Sequence, residues 1–216
     1  MISIRRFAFR DFRAAEAVKA LRANLSFHAS RARVIALTST DAAAGKTTLA
    51  FQLSLSLAQQ GSRVLLLDCD LRRSSLASHL SVMPRPQGLC QYFYGVENVS
   101  ELVCRTDVEG LYFLFAGGRM ADPTQSLSGE AFRVLLDALR KTFDYVIVDT
   151  APLGQVIDCA LLAPLVDGVV TVIDARKNSW GKERRLCRRV EAAGGRMLGA
   201  VLNRAECRER GSYYGN

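Results

Sequence analysis

Short continuous apolar runs alternate with longer segments of helical periodicity along most of this 216-residue chain. A continuous apolar run is typical of a central strand in a parallel sheet, because such a strand is buried on both faces. The periodic segments between the runs predict helices that lead from one strand to the next. The predicted strands are residues 34–37, 64–67, 111–115, 144–148, 168–173 and 198–203, and the predicted helices are residues 14–27, 45–57, 76–80, 130–141 and 180–193. This alternation predicts an α/β fold with a mostly parallel β-sheet flanked by helices on both faces.

The loop between the first predicted strand and the next helix has the composition of a phosphate-binding loop. Small residues lead to Gly45, Lys46 and Thr47, which open an apolar helix. Backbone N–H groups and the positive end of a helix converge on an anion in such a loop. Lys46 can reach the outer phosphates and the Thr47 hydroxyl can ligate Mg²⁺. Thr40 stands where the usual pattern has its first glycine. We therefore predict a nucleotide-phosphate site, and the alternative is a surface turn that contains Gly-Lys by chance.

Carboxylates stand at the ends of two predicted buried strands. Asp68 and Asp70 follow residues 64–67, and Asp149 follows residues 144–148. A carboxylate at the end of a buried strand is costly unless a cation lies beside it. In an open α/β sheet this edge is also where ligands bind. Mg²⁺ held between phosphates and these carboxylates explains both motifs, and Asp149 then has the Walker B role of holding the water shell of the metal.

Composition narrows the function classes. Six cysteines without Cys-x-x-Cys spacing predict reduced thiols in a cytoplasmic protein, with neither a zinc site nor a disulfide framework. No apolar segment is long enough to span a bilayer and no signal peptide is recognisable, so we expect a soluble protein. The net charge of +8 suits an anionic partner. No nucleic-acid motif accompanies that charge, and solvated helix faces explain most of it.

A few other reactive or aromatic residues are not expected to act chemically. His28 and His79 lack partners at ligand spacing, and Ser74 and Ser75 have no nearby base that would make either a nucleophile. Trp180, at the start of a predicted helix, is expected to be a packing residue.

With these residues in place, the chain resembles the cytoplasmic catalytic domain of the bacterial tyrosine kinases (BY-kinases) of capsule and exopolysaccharide synthesis. Residues 38–47 match the Walker A motif of that family, residues 65–73 its second acidic motif and residues 143–152 its Walker B motif. The resemblance runs nearly end to end. It implies a P-loop NTPase architecture of the deviant-Walker, MinD-like type. It also implies a kinase domain of residues 1–204 and a flexible tail of residues 205–216.

The resemblance also implies a site that binds ATP and Mg²⁺. Lys46 and the loop N–H groups would bind the β- and γ-phosphates, and Asn203 would contact the base. Asp68 or Asp70 would accept the proton of the incoming phenol. The implied catalytic residues are Lys46, Asp68, Asp70 and Asp149; the implied metal ligands are Thr47, Asp68, Asp70 and Asp149; and the implied nucleotide-binding residues are Asp41, Ala42, Ala43, Ala44, Gly45, Lys46, Thr47, Thr48 and Asn203.

Autophosphorylation between subunits is the activity that the resemblance implies. Tyr213 and Tyr214 resemble the C-terminal tyrosine cluster that accepts phosphate from a neighbouring subunit. Glu16, Lys19 and Arg22 resemble a Glu-x-x-Arg-x-x-Arg motif, here in a helix of residues 14–28, that joins subunits into a ring. The family further implies a membrane-embedded polysaccharide co-polymerase as activator, which would recruit this chain to the inner face of the cell membrane. No nucleic-acid partner is implied.

The chain departs from the family pattern in the phosphate loop. Ala42, Ala43 and Ala44 stand where the family commonly has Pro-Gly-Glu. Alanine tolerates positive φ poorly, so a loop that needs this geometry would be strained and could bind nucleotide less tightly. Two alternatives to the kinase stay open. A MinD- or ParA-like switch ATPase would have a signature lysine at the position of Asp41, and a nucleotide-binding regulatory module would have little or no chemistry.

Overall fold

The computed structural model describes residues 2–4, 12–29, 31–96, 98–177 and 180–205. A seven-stranded sheet forms its centre, in the spatial order β3-β4-β2-β5-β1-β6-β7. The strands are β1 (Val34–Thr38), β2 (Val64–Cys69), β3 (Cys104–Arg105), β4 (Leu111–Leu114), β5 (Tyr145–Thr150), β6 (Gly168–Asp174) and β7 (Met197–Asn203). All neighbouring pairs are parallel except β3 with β4, which are antiparallel.

Helices cover both faces of this sheet. They are α1 (Phe12–His28), α2 (Lys46–Ala58), α3 (Leu76–His79), α4 (Leu89–Phe93), α5 (Val99–Leu102), α6 (Thr124–Ser128), α7 (Glu130–Thr142), α8 (Asp158–Leu162) and α9 (Trp180–Ala192), and a 3₁₀ turn (Ala163–Leu165) follows α8. Alternate residues of a strand point to opposite faces, so the sheet contributes to two apolar cores. Ile35 and Leu37 pack with α2, whereas Val34 and Ala36 pack in the core that includes α7 and α9.

The predicted fold class is confirmed, and the continuous apolar runs have the expected cause. Every residue of β1, β2 and β6 is buried. None of the helices among the described residues is long and apolar enough to cross a membrane. The sequence pattern missed the short helices α5, α6 and α8 and the two-residue strand β3, because elements of this length show too few periods to be recognised.

The predicted nucleotide site lies at the carboxyl ends of the parallel strands. In this parallel arrangement the carboxyl ends of β1, β2 and β5 meet at one edge of the sheet. Asp68 and Asp149 are the last residue but one of β2 and β5, and they are direct register partners across the two strands. The phosphate loop leaves β1 at the same edge. The three motifs therefore converge, as the sequence predicted.

Candidate functional site

The phosphate loop joins β1 to α2 through an unusual backbone conformation. Gly45 precedes the first residue of α2 with φ 90°, in the left-handed region. A Cβ atom at Gly45 would lie 2.1 Å from the Asn203 Nδ2 atom, so this position needs glycine for two reasons. Ala43 also has a left-handed backbone, with φ 60°. The all-alanine loop thus includes one residue whose side chain disfavours its own backbone geometry.

A cavity of about 640 Å³ opens above this loop. Its volume suits a nucleotide-sized ligand. Its walls come from the phosphate loop and the start of α2, the segment after β2, the loop after β5, and Arg204 after β7. The lining residues include Ala42, Ala43, Ala44, Gly45, Lys46, Thr47, Thr48, Asp70, Arg72, Arg73, His79, Gln155 and Arg204. Most of the predicted nucleotide-binding residues therefore line one cavity.

Lys46 and Asp149 form an ion pair at the floor of the site. The Lys46 Nζ atom donates to Asp149 Oδ1 at 2.7 Å, and both side chains are almost fully buried. Burial alone would lower the pKa of Lys46, but the charge of Asp149 and the hydrogen bond to it outweigh burial and raise that pKa. Lys46 therefore stays protonated, and its charge is held where phosphate oxygens would bind.

Asp68 lies beside this pair as a second buried carboxylate. Its Oδ1 atom accepts the Asp70 backbone N–H at 3.1 Å, and its Oδ2 atom accepts the Ser74 hydroxyl at 2.5 Å. Complete burial, followed by the negative charge of Asp149, raises the pKa of Asp68 to about 7. Ser74 is thus part of the site as a hydrogen-bond donor to an acid. Sequence reasoning had considered it only as a nucleophile.

Arg72 forms a second anchored charge at the wall of the cavity. Its guanidinium binds both carboxylate oxygens of Asp158, at 2.8 and 3.0 Å, and donates to the Ala121 carbonyl at 3.0 Å. Asp158 is fully buried. Sequence reasoning missed this pair, although a carboxylate inside the apolar start of α8 was a signal that a cation must lie beside it.

Polar contacts also order the end of the cavity next to β7. The Asn203 Nδ2 atom donates to the Ala44 carbonyl at 2.8 Å, which ties β7 to the phosphate loop. The Arg204 guanidinium donates to Asp174 Oδ2 at 2.6 Å, and Arg176 binds the same carboxylate. Asn203 is therefore placed at the site, in contact with the loop backbone.

Other predicted residues lie away from the cavity. The Asp41 carboxylate is 3.4 Å from the Lys182 Nζ atom on α9. On α1, Glu16 and Lys19 form an exposed ion pair of 2.7 Å, whereas Arg22 donates to the Ser56 carbonyl and hydroxyl on α2. Tyr213 and Tyr214 lie outside the described residues.

Trp180 is largely exposed, at 68%, so the prediction that it is a packing residue was wrong. It stands at the first position of α9.

The acidic residues of the site suit a Mg²⁺ ion that is bound together with a nucleotide. Within the described ranges, no three acidic, histidine or cysteine side chains form a ready-made metal cluster. Mg²⁺ does not need one, because it usually binds through one or two carboxylates together with phosphate oxygens and water. Thr47 and Asp70 line the cavity; the register partners Asp68 and Asp149 are buried, with Asp149 bound to Lys46 in the cavity wall. Oxygen donors of the right kind are therefore present at one place.

Comparison with known proteins adds a family and close relatives. Residues 32–193 match the family described as AAA domain. The tyrosine-protein kinase CpsD of Streptococcus agalactiae is 32% identical to this chain over 88% of its length and 82% of the length of CpsD. The succinoglycan biosynthesis transport protein ExoP of Rhizobium meliloti (strain 1021) is 32% identical over 85% of this chain, which corresponds to 24% of ExoP.

Solved structures agree with these relatives. The kinase domain of VpsO superposes with a TM-score of 0.84 and 33% identity, over 91% of this chain and 97% of that domain. The kinase domain of the Escherichia coli tyrosine kinase ETK superposes with a TM-score of 0.82 and 28% identity, over 94% of this chain and 80% of that domain. The septum site-determining protein MinD of Pyrococcus horikoshii OT3, complexed with Mg-ADP, superposes with a TM-score of 0.67 and 24% identity, over 82% of this chain and 72% of that chain. It shares the fold.

Proposed function

Because this chain belongs to the bacterial tyrosine-protein kinases of capsule and exopolysaccharide synthesis, we propose that it transfers the γ-phosphate of ATP to the hydroxyl groups of tyrosines. The observation that supports this most directly is the convergence of Lys46, Asp149 and Asp68 at the phosphate loop. ATP is the phosphate donor, and Mg²⁺ is the required metal.

The residues of the site have separable tasks in this reaction. Lys46 neutralises the charge of the outer phosphates, and the N–H groups of the loop orient them. Thr47, Asp68, Asp70 and Asp149 are the candidates for holding Mg²⁺, directly or through water. When bound, this ion neutralises negative charge on the phosphoryl group during transfer.

Asp70 is better placed than Asp68 to accept the phenol proton. A tyrosine hydroxyl has a pKa of about 10, so at neutral pH it needs a carboxylate that orients it and removes its proton. Asp68 is completely buried, and both of its oxygens already accept hydrogen bonds. Asp70 lines the cavity, which favours it as the group that faces an incoming tyrosine.

The acceptors are Tyr213 and Tyr214 on the segment that follows the kinase domain of residues 1–204. Arg204 lines the cavity, so this segment begins beside the site. Tyr213 lies eight positions beyond Ala205, and an extended chain of eight steps reaches roughly 27 Å. Such a reach allows entry into the site of a neighbouring subunit in a homo-oligomer. Glu16 and Lys19, exposed on α1, would be available to that assembly.

A membrane-embedded co-polymerase is the partner that we infer for this chain. The relatives are named for capsule and exopolysaccharide systems, and one of them is a transport protein about four times as long as the matched segment. The kinase would work in the cytoplasm, at the inner face of the membrane, and would regulate polysaccharide polymerisation and export through its state of phosphorylation.

Incubation of the purified protein with Mg-ATP, followed by phosphotyrosine detection and mass spectrometry, tests the proposal. We expect phosphate on Tyr213 or Tyr214 and none after Tyr213→Phe with Tyr214→Phe. Tyr94→Phe is the matched control, because Tyr94 is an exposed tyrosine of the folded domain. Asp70→Asn should prevent labelling while nucleotide binding persists. Release of free phosphate without phosphotyrosine would instead identify a switch ATPase, and the absence of both products would identify a regulatory module.

A further inference from the structure

A buried carboxylate on α9 contacts the first residues of the phosphate loop. Glu183 is only 6% exposed. Its Oε1 atom accepts the Thr40 hydroxyl at 2.6 Å, and its Oε2 atom accepts the Thr171 hydroxyl at 3.0 Å. We call Thr40, Thr171 and Glu183 the α9 brace. It connects the loop to β6 and to the first turn of α9.

The α9 brace stands at a position where the sequence departs from the usual phosphate loop. Thr40 replaces the first glycine of that pattern, and its side chain provides the hydroxyl that Glu183 accepts. Thr171 lies on β6 and is the register partner of Thr38, the last residue of β1, so the carboxylate joins the loop to the strand beside the one from which the loop leaves. Burial of a carboxylate is unfavourable unless its oxygens are hydrogen-bonded, and here both oxygens are.

The backbone of Thr40 is also confined on its other side. Gly154, in the loop after β5, approaches so closely that a Cβ atom there would lie 1.9 Å from the Thr40 carbonyl oxygen. By contrast, the nearby Lys182–Asp41 ion pair is 3.4 Å long and substantially exposed, so it contributes little to the position of the loop. The buried contacts of Thr40 therefore determine where the loop begins.

We propose that Glu183 is a positioning residue, which fixes the phosphate loop in its anion-binding conformation through the Thr40 hydroxyl. Glu183 does not touch the nucleotide. A loosely held loop loses conformational entropy when it binds phosphate, and this loss weakens binding. Because Glu183 already holds the loop, that entropic cost of binding is smaller. The inference rests on the nucleotide site of the proposed function, but it concerns binding and does not require phosphoryl transfer.

Nucleotide affinity of the full chain is the measurement that tests this inference. Mg-ADP is titrated calorimetrically, well below the melting temperature of every variant, into the parent and into Thr40→Val, Thr40→Ser, Glu183→Ala and the Thr40→Val/Glu183→Ala double variant. Valine preserves the shape of threonine but lacks the hydroxyl, whereas serine keeps the hydroxyl. Glu191→Ala is the matched control, since Glu191 is an exposed acid on the same helix.

We expect Thr40→Val and Glu183→Ala each to weaken Mg-ADP binding about tenfold, which is about 1.4 kcal/mol. The double variant should also lose about tenfold rather than a hundredfold, because both changes remove one interaction. Thr40→Ser and Glu191→Ala should stay within about twofold of the parent. A merely structural role would lower the melting temperature of these variants without this pattern in Kd.

Two results would overturn the inference. One is unchanged Mg-ADP affinity in Thr40→Val and Glu183→Ala; the other is a double variant whose loss is the product of the two single losses. Tight Mg-ADP binding by a parent that forms no phosphotyrosine would refute the kinase proposal alone. A parent that binds no nucleotide would refute both.

Discussion

Replacement of Ala43 by glycine should stabilise this protein, although the change removes a methyl group from a loop that is expected to bind phosphate. Ala43 is exposed and has φ 60°. Its methyl group therefore contributes no buried contact that would be lost, while its Cβ atom disfavours the left-handed backbone. The neighbouring Ala42 is exposed as well, but its φ is not positive. The two alanines thus form a matched pair that differs in backbone geometry.

The magnitude follows from two opposing terms. The left-handed conformation costs an L-residue about 1–2 kcal/mol relative to glycine. Glycine is more flexible in the unfolded chain, which offsets about 0.4–1 kcal/mol of that gain. Ala43→Gly should therefore raise the free energy of unfolding by about 0.5–1 kcal/mol. Ala42→Gly only makes the unfolded chain more flexible, so it should lower the free energy of unfolding by a similar amount. The two variants should then differ by about 1–2 kcal/mol, which in a domain of this size is a Tm difference of about 2–8 °C.

Thermal and urea denaturation of the parent and of both variants, with and without saturating Mg-ADP, provides the measurement. If the loop has the left-handed geometry before nucleotide binds, Ala43→Gly should raise Tm equally in both conditions. If the loop reaches that geometry only on binding, the gain should appear as a lower Kd. An Ala43→Gly variant that is no better than Ala42→Gly in either Tm or Kd would refute the idea that Ala43 is strained.

The other predictions concern buried charges and close backbone contacts. Lys46→Met should lower the free energy of unfolding by about 3 kcal/mol because it leaves the Asp149 carboxylate buried without its cation. The double variant Lys46→Met/Asp149→Asn should regain most of that free energy in urea titrations. It should not regain activity. Asp68→Asn should raise Tm much more at pH 8 than at pH 4 when Mg²⁺ is absent. The pKa of Asp68 is raised from 3.8 to about 7 in the folded protein, so the parent loses stability as pH rises from about 4 to about 7. A Tm advantage that is independent of pH would contradict this assignment. Gly154→Ala should lower the free energy of unfolding by about 2 kcal/mol, because the new Cβ atom would meet the Thr40 carbonyl. Gly181→Ala, in a helix with open space around the position, should raise the free energy of unfolding by about 0.5 kcal/mol in the same denaturation assay.

Local pattern was sufficient for the main elements of the fold and for the chemistry of its loops. Continuous apolar runs predicted six of the strands to within a few residues, because most of these strands are buried on both faces and contain few polar positions. The edge strand β7 is only partly buried, but most of its residues are apolar as well. Gly45, Lys46 and Thr47 were recognisable because a phosphate loop requires a particular order of residues within one short segment. Asp68 and Asp149 were recognisable for a related reason, since each ends an apolar strand. These features depend on neighbours in sequence, and the sequence alone determined them.

Contacts between distant segments were decided only by the tertiary structure. The order of the strands makes Asp68 the register partner of Asp149, and the start of α2 brings Lys46 to the same carboxylate. The packing of α9 buries Glu183 against Thr40, although in sequence it is one charge among several on a basic helix. Arg22 contacts Ser56 for a similar reason. A periodic pattern states which face of an element is apolar, but it does not state which partner that face or its polar edge will meet, because the partner is set by the topology of the whole sheet.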